Sequence, residues 1–84
     1  DLVSHWPESG ALELDRRTRM LYRGRQLFIN GETALVAADA ALRALADARR
    51  LDCADPRSQR LSDPARECLT DWLDAGWLHY RASL

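Results

Sequence analysis

Apolar residues recur at two different periods along the 84-residue chain, and the place where the period changes divides it. From Ala11 to Leu35 the pattern is that of short strands. Ala11-Leu12-Glu13-Leu14 alternates, which puts Leu12 and Leu14 on one face. Asp15-Arg16-Arg17 is a polar turn. Met20-Leu21-Tyr22 and Leu27-Phe28-Ile29 flank Arg23-Gly24-Arg25 and read as two strands joined at a glycine turn. Asn30-Gly31 follows at once, and both residues tolerate the positive φ that a type I′ turn needs. Glu32-Thr33-Ala34-Leu35 continues as a short third strand. Leu21, Leu27 and Ile29 are expected to offer the apolar surface that later helices cover.

From Ala38 the spacing becomes helical. Leu35, Ala38, Leu42 and Leu45 fall at three- and four-residue intervals, with Asp39, Arg43, Asp47 and Arg50 opposite. This predicts an amphipathic helix over about residues 38–49, with Asp39 and Arg43 in the favourable i, i+4 order. Arg49-Arg50 near its end suits the helix dipole. Leu51 to Arg60 reads as a short helix capped by Asp52 or as a turn, limited by Pro56. Ser62-Asp63-Pro64 is a helix start, with Ser62 or Asp63 as cap and Pro64 in the first turn. Ala65, Cys68, Leu69, Trp72 and Leu73 make the apolar stripe of a helix over residues 63–75, and Gly76 stops it. Trp77-Leu78-His79-Tyr80-Arg81 reads as a last strand returning to the sheet. The order suits an α+β, winged-helix-like domain: a small antiparallel sheet, two to three helices and a C-terminal strand. That domain occupies residues 11–82. Residues 1–10, with Pro7, Ser9 and Gly10 and no periodicity, read as a lead-in or linker. Trp6 in it either docks on the domain or packs on something outside it.

Composition narrows the function. Apolar content of 46% with 30% charged residues is that of a globular domain, and a net charge of −1 gives no global pull toward nucleic acid or membrane. All 12 basic residues are arginine. The longest apolar run, Ala34 to Ala38, is far short of the roughly 20 residues of a membrane helix. The opening residues have neither the basic region nor the apolar core of a signal peptide, so the expected compartment is the cytoplasm. A start on Asp1 with no initiator methionine fits a fragment or processed piece. Cys53 and Cys68 lack metal-ligand spacing and read as two reduced, partly buried thiols.

No catalytic constellation emerges. Asp63, Glu67, Asp71 and Asp74 read as a solvated helix face. Gly24 and Gly31 lie at turns between strands, not ahead of a helix in a phosphate loop. Ser62 is a cap. His79 reads as a half-buried strand residue, and His5 lies in the lead-in. No catalytic and no metal-binding residue is assigned.

The arginines remain. Over residues 11–31 five of them face only Glu13 and Asp15, a surplus of +3. Arg16, Arg19, Arg23 and Arg25 are the candidate interaction residues. A basic hairpin can contact phosphates. A DNA-reading helix, however, presents Arg, Asn, Gln or Ser to base edges. The helix over 63–75 instead carries four acids against Arg66, a net −3. The 52–60 region, with Arg57, Gln59 and Arg60, could serve if it were the recognition element. The competing use of the arginines is contact with an acidic protein surface, on the chain's own helix face or on another subunit.

Four runs carry a family resemblance: Leu14-Asp15-Arg16-Arg17-Thr18-Arg19-Met20-Leu21-Tyr22, Leu27-Phe28-Ile29-Asn30-Gly31-Glu32, Leu42-Arg43-Ala44-Leu45-Ala46-Asp47 and Trp72-Leu73-Asp74-Ala75-Gly76-Trp77-Leu78. Together they resemble the C-terminal winged-helix domain of bacterial cupin/JmjC-type ribosomal oxygenases, which include ribosomal-protein arginine hydroxylases. The likeness covers about residues 11–82. It implies iron- and 2-oxoglutarate-dependent hydroxylation of a protein side chain in a parent protein, with both cofactors held by an upstream cupin domain. Neither His5 nor His79 has an acid two positions on, so no catalytic residue carries over and this chain alone is not expected to be an enzyme. The resemblance implies an accessory module that works by protein–protein contact, with its own oxygenase core or another subunit as partner. The alternative is a small nucleic-acid-binding domain that uses the arginine hairpin. No membrane partner is expected.

Overall fold

The strands of the computed structural model, which describes residues 1–83, divide between two antiparallel sheets where the sequence pattern suggested one. In the first sheet, β1 (Ala11–Leu14) is the central strand, flanked by β5 (Arg50–Asp52) and β6 (Leu78–Arg81). Glu13 lies opposite both Arg50 and His79. The second sheet is a local meander of β2 (Met20–Arg23), β3 (Gln26–Ile29) and β4 (Glu32–Thr33).

Turn chemistry builds the meander. Gly24, at φ +60, opens the two-residue loop between β2 and β3, the place where a type II′ turn requires glycine. Asn30 and Gly31, at φ 49 and φ 82, supply the paired positive values of a type I′ turn. The inward face of the hairpin is Met20, Leu27 and Ile29. Leu21 was expected to share that face. It is 66% exposed, because strand side chains alternate and Leu21 pairs with Phe28 on the other side.

Helix α1 (Ala40–Ala48) is shorter than its periodicity suggested. Asp39 is its N-cap and accepts a hydrogen bond from the Leu42 backbone N–H at 2.9 Å. That role replaces the expected Asp39–Arg43 pair. Arg43 instead donates from Nε to the Ala38 carbonyl (2.9 Å) and from Nη2 to the Gly24 carbonyl (2.7 Å), with its guanidinium 5.3 Å from the Tyr22 ring. The helix is thereby tied to the hairpin tip. Leu35 falls outside the helix and is 96% exposed.

Arg49 and Arg50 do not sit in the last helical turn. Arg49 is the cap residue, in the left-handed region at φ 61, and Arg50 begins β5. The expected helix or turn over 51–60 is therefore a strand followed by one 3₁₀ turn, Ser58–Arg60. Asp55 organises the link by accepting from the Arg57 backbone N–H at 2.8 Å.

Helix α2 (Asp63–Asp74) starts where its cap predicts. Ser62 Oγ accepts from the Ala65 N–H at 3.2 Å, and Pro64 lies in the first turn. It ends in a Schellman pattern, with the Trp77 N–H donating to the Trp72 carbonyl and the Gly76 N–H to the Leu73 carbonyl. The chain passes straight into β6.

Leu12, Leu27, Leu42, Leu45, Leu51, Leu69 and Leu78 form the fully buried centre. Residues 1–10 have no helix or strand, yet they pack on this core. Leu2 is buried, and its N–H donates to Thr70 Oγ1 at 3.1 Å. Trp6 takes the docked alternative: its indole N–H donates to the Cys53 carbonyl at 2.9 Å, and the Arg66 guanidinium lies 4.9 Å from its ring. Cys53 is buried, Cys68 is half-buried, and both are free thiols.

Candidate functional site

The outward face of the first sheet carries an ordered row of charges. Strand alternation aims Glu13 away from the core, between its neighbours on β5 and β6. Its carboxylate accepts from Arg50 Nη1 at 2.7 Å and from Arg81 Nε at 2.9 Å. The Arg81 hydrogen bond above all, with the Arg50 charge behind it, holds Glu13 below its ordinary pKa. Arg50 also reaches Asp52 at 3.1 Å.

Asp15, just past β1, is a second node. One carboxylate oxygen lies 2.8 Å from His79 Nε2, and the other accepts from the Arg17 backbone N–H at 3.0 Å. The His79 bond first, and the Arg17 bond second, hold Asp15 below its ordinary pKa. The Asp15 carbonyl accepts from Arg49 Nη2 at 2.8 Å. His79 is exposed, not half-buried as expected, because it faces outward from β6 beside Glu13.

An open cleft of about 530 Å³ lies along these nodes. Its charged lining is Arg16, Arg49, Arg50 and Arg81 against Glu13 and Asp15, with His79 beside them. Leu14 and Ala48 supply apolar surface.

Of the four candidate arginines, the structure brings only Arg16 into this cleft. All four are exposed, and none of their side chains makes a hydrogen bond or ion pair among the described residues. Arg23 closes β2 and Arg25 lies in the loop beyond it, so these two share the hairpin tip. Arg19 precedes β2, roughly 13 Å from Arg23 at ~3.3 Å per strand residue. The four are thus spread over the two ends of the hairpin. Arg49, Arg50, Arg81 and His79 escaped sequence reasoning. Only the alternation around Glu13 hinted at an outward polar row, and its partners lie on strands distant in sequence.

The helices present the opposite charge. Asp63, Glu67, Asp71 and Asp74 are exposed on α2, while Arg66 is half-buried against Trp6. On α1 the exposed residues are Ala40, Asp47 and Ala48, and Arg43 is tied to backbone carbonyls. Between β4 and α2 lies a smaller groove of about 180 Å³, lined in part by Leu35, Cys68, Trp72 and Trp77 with Glu32 and Asp71.

Among the described residues no group of three or more His, Cys, Asp or Glu side chains is placed to hold a metal ion. No helix among the described residues is long and apolar enough to cross a membrane.

The surface ion pairs make acid stability testable. Arg57, through its side-chain hydrogen bonds and then its backbone N–H, holds Asp55 down to about 2. Glu13 and Asp15 are lowered as well. In the unfolded chain these groups return to values of about 4, so in acid the unfolded state binds more protons. Their contribution is complete above about pH 5 and drains as pH falls through the folded values. The urea midpoint should fall steadily from about pH 5 to about pH 2, and Asp55→Asn should flatten the most acidic part of that decline.

Comparisons with curated proteins and with solved structures return no match. A family model described as a ROXA-like winged helix matches residues 1–79, a span that takes in the packed lead-in, both helices, strands β1 to β5 and the start of β6. The chain belongs to the ROXA-like winged-helix family.

Proposed function

We propose that this domain is a non-catalytic accessory module of a bacterial, cytoplasmic cupin-type iron- and 2-oxoglutarate-dependent protein hydroxylase. It works by protein–protein contact, against its own oxygenase core or another subunit. The observation that carries the reading is the charge of the helices. A groove-reading helix offers Arg, Asn or Gln to bases and must approach a phosphate backbone. Here α2 exposes four acids, and no arginine on either helix has a free, outward guanidinium among the described residues. The exposed arginines lie on strands and turns instead, where they suit an acidic protein surface.

Titrating the chain with duplex DNA at low salt tests this directly. The expected result is no binding in the micromolar range. Micromolar affinity with a steep salt slope overturns the reading. Against the oxygenase core, Arg23→Glu with Arg25→Glu should weaken association if the hairpin tip is part of the contact.

One observation favours a nucleic-acid alternative: Arg23 and Arg25 stand unpaired among the described residues at the hairpin tip, placed as a basic wing. If that wing met phosphates, replacing both by Ala would lower low-salt affinity and reduce the salt slope by about 2.

A further inference from the structure

Arg49 stands where a helix commonly hands over to glycine. Its backbone is left-handed at φ 61, a conformation glycine takes freely and a side chain with a Cβ resists. Closing α1 does not require arginine there. What arginine adds is a guanidinium, which donates to the Asp15 carbonyl at 2.8 Å and is thereby held in the cleft. A strained residue beside a concave, charged surface points to use of that surface.

The cleft also has donors to spare. Arg16 has no side-chain partner among the described residues. Among the described residues Arg81 engages Glu13 through Nε alone, which leaves both its terminal nitrogens. Among the same residues Arg49 commits only Nη2. Guanidinium groups with free parallel N–H donors match carboxylates two bonds at a time.

We infer that the cleft on the outer face of β5–β1–β6 is the docking site for the carboxylates of an acidic protein segment, with Arg49 and Arg16 as binding residues. The inference rests on the protein-contact reading above and places the contact on the sheet face, away from the hairpin tip. A protein segment fits better than a nucleic acid. Glu13 and Asp15 lie in the lining and would face a continuous phosphate backbone, whereas separate side-chain carboxylates can settle between them. Leu14 and Ala48 offer surface to the methylene stems of glutamates.

The test uses a fluorescent hexaglutamate peptide at low ionic strength, read by anisotropy, with single-stranded DNA and inorganic phosphate as competitors. The peptide should bind, and Arg49→Gly should weaken it by about fivefold or more while the melting temperature stays level or rises. Arg16→Ala, at an exposed and unpaired position, should weaken it similarly without touching the fold. Arg23→Ala with Arg25→Ala should leave it unchanged. Unchanged affinity in Arg49→Gly and Arg16→Ala overturns the inference, as does a wild-type chain that does not bind the peptide. Loss confined to the Arg23 and Arg25 variant overturns the cleft but leaves the protein-contact reading standing. Tighter binding of the DNA than of the peptide overturns both.

Discussion

Deleting residues 1–7 should destabilise the domain by about 4 kcal/mol, although the segment contains no helix or strand. Leu2 is 7% exposed and belongs to the core. Burying a leucine is worth roughly 1.5–3 kcal/mol. Trp6 adds partly buried aromatic surface, an indole hydrogen bond to the Cys53 carbonyl and a stacked Arg66. Its removal also leaves the Cys53 carbonyl, among the described residues, with only the 3.2 Å contact from Gln59. A domain of this length has a total stability of roughly 4–13 kcal/mol at the usual per-residue figure, so the deletion removes a large share. Urea denaturation followed by circular dichroism measures the effect. The single changes Leu2→Ala and Trp6→Ala should each cost about 2–3 kcal/mol. A midpoint unmoved by the deletion would mean that the segment merely leads in.

Gly10→Ala should cost about 3 kcal/mol, while Gly24→Ala should cost only about 1. Both glycines have positive φ, +84 and +60, so both substitutions carry the left-handed penalty. They differ in surroundings. A Cβ on Gly10 would stand 2.5 Å from the Arg81 carbonyl oxygen and 2.5 Å from Tyr80 Oη. The tyrosine can swing away, but the carbonyl belongs to β6 and cannot move without loosening its pairing with β1. A Cβ on Gly24 would meet nothing within 4 Å among the described residues. Parallel thermal melts isolate the packing part as the difference between the two. Equal losses would show that β6 yields freely at its end.

Local chemistry explains which parts of this structure could be read from the sequence. Ser62-Asp63-Pro64, Gly76, Asn30-Gly31 and Gly24 each mark a boundary through their own backbone preferences, and the elements they bound are in place. Strand β5 carried no such mark. It has three residues and one buried side chain, Leu51, and it is a strand because β1 pairs with it. Missing it put Arg50 on a helix in the sequence reading. In Met20-Leu21-Tyr22 every residue is apolar, so alternation alone could not say which side faces inward; the packing of Ile29 and Leu27 opposite decides it. The arginine surplus was legible as a count. The cleft was not, since Arg50 meets Glu13 across 37 positions, Arg81 meets it across 68, and His79 meets Asp15 across 64.

The central place of β1 has a consequence for the order in which the domain assembles. The hairpin of β2 and β3 closes over a two-residue loop and can form on the microsecond scale as soon as Ile29 is available. Strand β1 precedes it in the chain but has no strand partner within the next 35 residues; its partners are Arg50–Asp52 and Leu78–Arg81. On a ribosome one edge therefore stays open until Asp52 has been made, and the other until nearly the whole domain has. The first strand to emerge is among the last to be secured, and the charged row on its outer face comes into being only with that final closure.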